Sequence, residues 1–385
     1  FTAKWFSHWQ SWVTLLVLGS LAFLNTWDFP IYVGLYAVVV IYKRVQVAGW
    51  HWRRLLEFIQ CGLILGIGGV VLFLPFYLGF QSQAGGLLPS LEYITRGVNF
   101  WVMFGVFLTL ILIWLVRQVR EKELPFSWKK GAQIVSIGMV GLFLVSMVWA
   151  LILISFSTLG NSLAASTNSN IAALGTKMIL GGSAFVGLHG NYPTSMMIQE
   201  TIFRRVTSPG TWITLAAILF FVFGFLIHDS QKKTAEVPSE LPAAQPSSTE
   251  NIKVFIFLML LFGAGLTLFP EFFYLRDQFG ARMNTIFKFY FQAWMFWSLA
   301  AAFISVELLH TLKRWRYLVF SLIWTVLIIG GLAYPVLMVL NKTNNFNPAV
   351  WTLDGNEYIA RYTPDDYAAM QWLSEKKVGI VAEGI

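Results

Sequence analysis

Apolar residues gather along the chain into long runs with almost no charge inside them. Short segments where Lys, Arg, Trp, Asn and Pro collect separate the runs. A helix rises about 1.5 Å per residue, so crossing a hydrocarbon core of about 30 Å takes about 20 apolar residues. Nine runs approach that length, at about 10–27, 30–42, 57–79, 99–116, 132–156, 210–228, 253–269, 286–310 and 317–340. The pattern predicts an all-α polytopic membrane protein with about nine transmembrane helices over residues 1–340. The second run is short and begins at Pro30, so the first two read as a tight helical hairpin or a bent pair.

Basic residues in the connections set the orientation. With the N-terminus inside, 16 of the 27 fall in short cytoplasmic segments, such as Lys43, Arg44, Arg53, Arg54 and Lys313, Arg314, Arg316. This predicts a multi-pass protein of the cell membrane with a cytoplasmic N-terminus and an extracytoplasmic C-terminus. Residues 157–209 become a long outer loop. Within it, 171–188 are apolar apart from Lys177 and rich in Gly and Ala. A span there would turn the Lys313-Arg314-Trp315-Arg316 loop outward, so the segment reads as re-entrant or interfacial. Residues 231–251, with Pro238, Pro242 and Pro246, read as a flexible cytoplasmic linker.

Beyond residue 340 the character changes. Thr363 offers a capping hydroxyl before Pro364, Asp365 and Asp366, and Tyr367, Met370 and Leu373 share one face. A strand pattern follows at 377–383, so residues 341–385 read as the start of an extracytoplasmic α/β domain. The chain begins without Met and stops in that pattern, which reads as a piece of a longer polypeptide.

Composition agrees with the membrane reading. The 385 residues are 57% apolar and 12% charged, against about 45–50% and 25% in soluble domains. In such a chain a net charge of +8 is better read as membrane orientation than as nucleic-acid affinity, and membrane lipids are the expected partners. The single Cys61 excludes disulfide frameworks and cysteine-based zinc sites. Five histidines are scattered without metal-ligand spacing. No Walker motif, nucleophile elbow or His-Glu-x-x-His occurs, and Gly62-x-x-x-Gly66 is at most a helix-packing signal.

Candidate chemistry collects at outer helix ends. Asn25-Thr26-Trp27-Asp28-Phe29-Pro30 puts a carboxylate after the first run, where Asp28 or Thr26 could simply cap the helix that holds Pro30. The segment from Pro270 to Lys288 is denser, with Glu271, Asp277, Arg276, Arg282 and Lys288 in one connection. If a helix starts near Met283, Asn284, Lys288 and Gln292 recur every four residues as one polar stripe. Lys288 could instead snorkel to the interface, which leaves Gln292, Arg276 and Arg282 unexplained. Cations beside a polar groove suit a phosphate or pyrophosphate on a lipid carrier. Acids there could act as general base or hold an oxygen-preferring divalent cation such as Mg or Mn, though no cofactor is fixed. Tyr274 could stack on a sugar ring or belong to the interfacial aromatic belt.

These segments, with Tyr290, Trp294, Leu353-Asp354-Gly355 and the stretch from Ala368 to Leu373, resemble the prokaryotic "YYY" family of uncharacterised membrane proteins. That family is similar to GT-C class glycosyltransferases, which use polyprenyl-phosphate sugars on the outer membrane face. The resemblance spans almost the whole chain and is specific for the family more than for an activity. It implies a GT-C-like fold and a shared polar core of Asp28, Glu271, Tyr274, Asp277, Arg282, Asn284 and Lys288. It also implies that the usual catalytic acid of GT-C enzymes falls upstream of Phe1. The expected function is transfer of a sugar from a lipid-linked donor outside the cytoplasm. Asp28, Glu271 and Asp277 are the catalytic candidates; Tyr274, Arg276, Arg282, Asn284, Lys288 and Gln292 bind the substrate. The alternative is a non-catalytic subunit held among other membrane subunits, with the polar cluster only tying spans together. A transporter would need broken mid-membrane helices and an inverted repeat, and the sequence has neither.

Overall fold

The computed structural model describes residues 3–80, 85–189, 193–227, 248–277, 280–347 and 350–376. Most of the expected linker at 231–251 and the strand pattern at 377–383 lie outside the described residues, as do Lys232 and Lys233. The chain divides into two units, Phe1–Phe320 and Ser321–Ile385.

The first unit opens with α1 (Ala3–Phe6), α2 (Trp9–Leu24), α3 (Asp28–Ala48), α4 (Arg53–Leu72) and the short α5 (Leu74–Gly79). A strand, β1 (Leu87–Pro89), leads into α6 (Gly97–Glu121) and α7 (Trp128–Ala164). Then come α8 (Ser169–His189), α9 (Thr194–Thr207), α10 (Gly210–Leu226), α11 (Ser248–Leu268), β2 (Phe273–Leu275) and α12 (Met283–Thr311). α13 (Arg314–Lys342) runs on into the second unit, which also holds α14 (Asn356–Tyr362) and α15 (Pro364–Ser374).

All nine apolar runs fall on helices. Among the described residues, seven helices are long and apolar enough to cross a membrane, or eight if the bent pair α9–α10 counts as one span. The expectation of about nine is corrected accordingly. α2 has 16 residues because the polar Asn25-Thr26 turn ends it, and 16 residues at 1.5 Å each fall short of the hydrocarbon thickness. α10 has 17, and a bend of 69° separates it from α9. The segment 157–209 is occupied by the end of α7, by α8 and by α9.

Separate packed cores organise the first unit. α2, α3 and α4 meet through Leu15, Leu18, Val33, Ala37, Cys61 and Leu65. Here α2 and α4 approach so closely that a Cβ on Gly19 would lie 2.9 Å from Gly69 Cα. Gly62 and Gly66 face open space, so the close approach uses Gly69 instead of the Gly62-x-x-x-Gly66 pair. Further on, the fully buried Trp297 of α12 packs edge-on against Phe100 and Phe104 of α6.

A buried charge network joins the far ends of α6, α11 and α12. Lys253, 4% exposed, donates to Gln118 Oε1 (3.1 Å) and Glu123 Oε2 (2.5 Å) and pairs with Glu307 (3.4 Å). Trp114 and Gln118 also donate to Glu307, at 2.9 and 3.1 Å. A lysine buried this deeply persists because carboxylates and amides surround its ammonium.

In the second unit, α15 begins at Pro364, as the sequence predicts. Thr363 stands at its N-cap, but the hydroxyl donates back to Ile359 O (3.3 Å) and leaves the cap unmade.

Candidate functional site

α12 starts at Met283, so Asn284, Lys288 and Gln292 do form one stripe. The turn before it closes at Gly280, whose φ of +66° lies in the left-handed region that glycine enters without strain. Gly280 N donates to Asp277 O (3.0 Å), and Asn284 Nδ2 donates to the Asp277 carboxylate. The stripe thus ties back onto the acid that precedes its own helix.

Gln292 is 2% exposed and reaches α3. Its Nε2 donates to Asp28 Oδ1 (2.8 Å), and Tyr32 Oη donates to its Oε1 (2.8 Å). Asn25 Nδ2 donates to the same Asp28 oxygen (2.9 Å). Asp28 is the first residue of α3, Trp27 holds the N-cap position, and no side chain caps the helix. The carboxylate is therefore held by two amides and does not cap its own helix, which corrects the capping expectation for Asp28 and Thr26.

A cavity of about 730 Å³ lies between the α2–α3 turn, α5 and the start of α12. Asn25, Thr26, Asp277, Asn284 and Lys288 supply its polar wall. Phe23, Leu24, Ile31, Phe76, Phe80 and Phe289 supply apolar walls. Lys288 is half-buried, makes no hydrogen bond or ion pair with any described residue, and stands within electrostatic reach of Asp28. Desolvated on one side and unpaired, its ammonium is the group there with most to gain from an anion.

Glu271 and Arg282 belong to a neighbouring but separate arrangement. Glu271 is 1% exposed, and its carboxylate accepts from Thr95 N (3.0 Å), Thr95 Oγ1 (2.6 Å) and Arg282 Nη1 (3.2 Å). Arg282 also donates to Pro270 O (3.0 Å), and the Thr95 hydroxyl lies 3.1 Å from Tyr290 Oη. Arg205 of α9 completes the cluster. Its guanidinium donates to Glu271 O (2.8 Å), Ser90 O (2.9 Å) and Leu91 O. Thr211 donates to Thr95 O (2.7 Å).

Tyr274 pairs across the two-stranded antiparallel sheet with Leu88 and is buried in a core with Leu91, Ala150, Leu153 and Phe185. Burial, with Tyr93 nearby, pushes its phenol up to about 12. The backbone of Arg276 extends the same sheet, donating to Gly86 O (2.8 Å) and accepting from Gly85 N (2.6 Å). Among the nine candidates, then, Asp277, Asn284 and Lys288 meet at the cavity wall, with Asp28 and Gln292 joined beside it. Glu271 and Arg282 pair behind it, and Tyr274 and Arg276 lie in the sheet. Residues 278–279, inside the candidate connection, lie outside the described residues.

Sequence reasoning passed over Tyr32, Thr95 and Arg205. Arg205 carries a usable signal, an arginine four residues after Thr201 and so on the same face of one helix. Thr95 and Tyr32 carry none.

The family model "Uncharacterized membrane protein (DUF2298)" matches residues 2–297. The chain belongs to this DUF2298 family. The match takes in the α2–α3 turn, the connection from Glu271 to Lys288 and α12 as far as Trp297, and so covers every cavity residue. The Leu353-Asp354-Gly355 segment lies beyond it. No curated protein and no solved structure matches the DUF2298 chain.

Proposed function

We propose that this membrane protein is a GT-C-like glycosyltransferase that takes a sugar from a polyprenyl-phosphate donor on the extracytoplasmic side. One observation carries the reading: the ammonium of Lys288, which no described residue pairs, at the polar wall of a cavity whose other walls are aromatic and aliphatic. A lipid with an anionic head has the matching division of polar and apolar parts.

In the proposed reaction an acceptor hydroxyl attacks the anomeric carbon of the sugar. The bond from that carbon to the phosphate oxygen breaks, and the phosphate leaves with the electron pair. Lys288 and Asn284 hold the departing phosphate, where fixed charge is most effective. The acceptor's proton passes to Asp28, whose Oδ1 is oriented by Asn25 and Gln292. Asp277 holds the acceptor, and the Glu271–Arg282 pair lies behind the wall, outside the reacting groups.

The test is sugar transfer from polyprenyl-phosphate donors by the purified chain and by its Lys288→Ala and Asp28→Asn variants. Loss of transfer in both supports the assignment; transfer unchanged in both defeats it. A second reading, a non-catalytic subunit, draws support from Glu271, whose carboxylate is wholly occupied in joining segments of the chain. Stoichiometric co-purification of other membrane subunits, with no transfer activity, would favour it.

A further inference from the structure

We propose that a bilayer phospholipid with a net negative head binds in the groove at the elbow between α9 and α10, where Arg96 holds its phosphate. The groove is distinct from the Lys288 cavity, and the proposal stands independently of the glycosyltransferase reading.

The sequence gives α9 two faces. Met196, Ile202, Phe203 and Val206 fall on one side of the helix and are exposed, whereas Thr201 and Arg205 turn inward. Such a helix is stable where hydrocarbon meets lipid heads, with its apolar side against the acyl chains. The 69° bend into α10 fits that placement, because α10 is strongly apolar and runs into hydrocarbon while α9 leaves it at a steep angle. The elbow between them then sits at head-group depth.

α6 begins at the same level. Gly97 and Gly210 meet so closely that a Cβ on Gly97 would lie 2.7 Å from Gly210 Cα, and one turn further in Trp101 Nε1 donates to Thr214 Oγ1 (3.0 Å). Beside this contact lies an open groove of about 730 Å³. Arg96 and Ser208 form its polar end, and Val98, Trp101 and Val102 form an exposed apolar wall along α6, a helix long enough to cross the membrane.

The chain holds Arg96 in place while leaving its charge free. Thr95, just before it, gives its N–H and hydroxyl to Glu271 and accepts from Thr211. The Arg96 guanidinium itself makes no hydrogen bond or ion pair with any described residue, and neither does the Ser208 hydroxyl. The Thr207 hydroxyl is turned back to Phe203 O (2.8 Å). No acid lines the groove, and Glu200 on α9 is held by Arg204 at 2.6 Å. Residues 190–192, Gly-Asn-Tyr, bring none.

An uncommitted guanidinium and hydroxyl at the end of an apolar wall match a phosphodiester head with its acyl chain. Net charge then selects among phospholipids. With no carboxylate in the groove, the ammonium of a zwitterionic head finds no counter-charge there, whereas a head like that of phosphatidylglycerol carries the one negative charge that Arg96 leaves unbalanced.

The experiment titrates the purified full chain in neutral detergent with phosphatidylglycerol and with phosphatidylcholine of the same acyl chains, and native mass spectrometry gives Kd for the first lipid bound. Phosphatidylglycerol is expected to bind at least about tenfold tighter. Arg96→Gln should abolish that preference, and it should fold normally because Arg96 holds no other side chain. Arg96→Lys and Lys288→Met should each keep phosphatidylglycerol within about threefold of wild type, and millimolar glycerol 3-phosphate should not displace it. Equal affinity for the two lipids, or a preference that survives Arg96→Gln in a monodisperse variant, overturns the proposal. So does a preference lost on Lys288→Met, which places the lipid in the other cavity, or displacement by glycerol 3-phosphate, which makes the site one for a free phosphate.

Discussion

Gln292 of α12 donates its amide to Asp28 of α3 at 2.8 Å, joining residues 264 positions apart. The bond fixes the turn after α2 against the start of α12, and these two elements form most of the polar cavity wall. Gln292→Leu is expected to leave Asp28 and Tyr32 each short of one partner. The expected loss is about 1–3 kcal/mol, read as a lower unfolding midpoint in detergent. A midpoint equal to wild type would show that the bond contributes nothing.

The Glu271–Arg282 pair behaves differently because Glu271 is fully enclosed. Arg282→Met strands a buried carboxylate, which costs about 3–5 kcal/mol. The double variant Glu271→Gln, Arg282→Met should recover much of that loss, since no uncompensated charge remains. A double variant less stable than Arg282→Met alone would contradict this account.

Glycine packing between α2 and α4 is testable at single positions. Gly69→Ala places a Cβ against the Phe29 ring and Gly19 Cα, at 2.9 and 3.1 Å, and should destabilise by about 1–3 kcal/mol. Gly62→Ala and Gly66→Ala meet nothing within 4 Å and should stay within about 0.5 kcal/mol of wild type. The contrast is read from thermal melting of the three variants side by side.

Tyr274 sets an alkaline limit. Its phenol is raised by burial from an ordinary value near 10 to about 12. The folded protein therefore keeps a proton that the unfolded chain releases. The stability this contributes is complete below about pH 10 and is lost as pH rises toward about 12. Tyr274→Phe should remain folded and lose stability less steeply over that interval, which equilibrium unfolding at pH 9, 10 and 11 would reveal.

Most helices could be read from apolar run length alone, because a run of about 20 apolar residues has few other stable uses. The polar stripe on α12 was equally readable, since Asn284, Lys288 and Gln292 follow a four-residue period. Their partners were not. Nothing in a linear pattern says that Gln292 meets Asp28, or that Thr95 supplies both backbone and hydroxyl to Glu271. Such pairings depend on how helices hundreds of residues apart come to lie side by side. The place of Tyr274 was hidden for a related reason: an aromatic near an interface looks the same in sequence whether it lines a cavity or pairs within a small sheet.

Arg205 donates to main-chain oxygens at residues 90, 91 and 271, while the rings of Phe143, Trp212 and Phe272 lie within 5.6 to 5.8 Å of its guanidinium. Carbonyl oxygens are present whatever amino acids occupy those positions, so the anchor imposes no identity on them. The arginine itself has no stand-in, because lysine lacks the planar fork that spans three acceptors. A change at Arg205 should therefore loosen three chain segments at once, while a change at any one of its acceptor positions leaves this particular anchor in place.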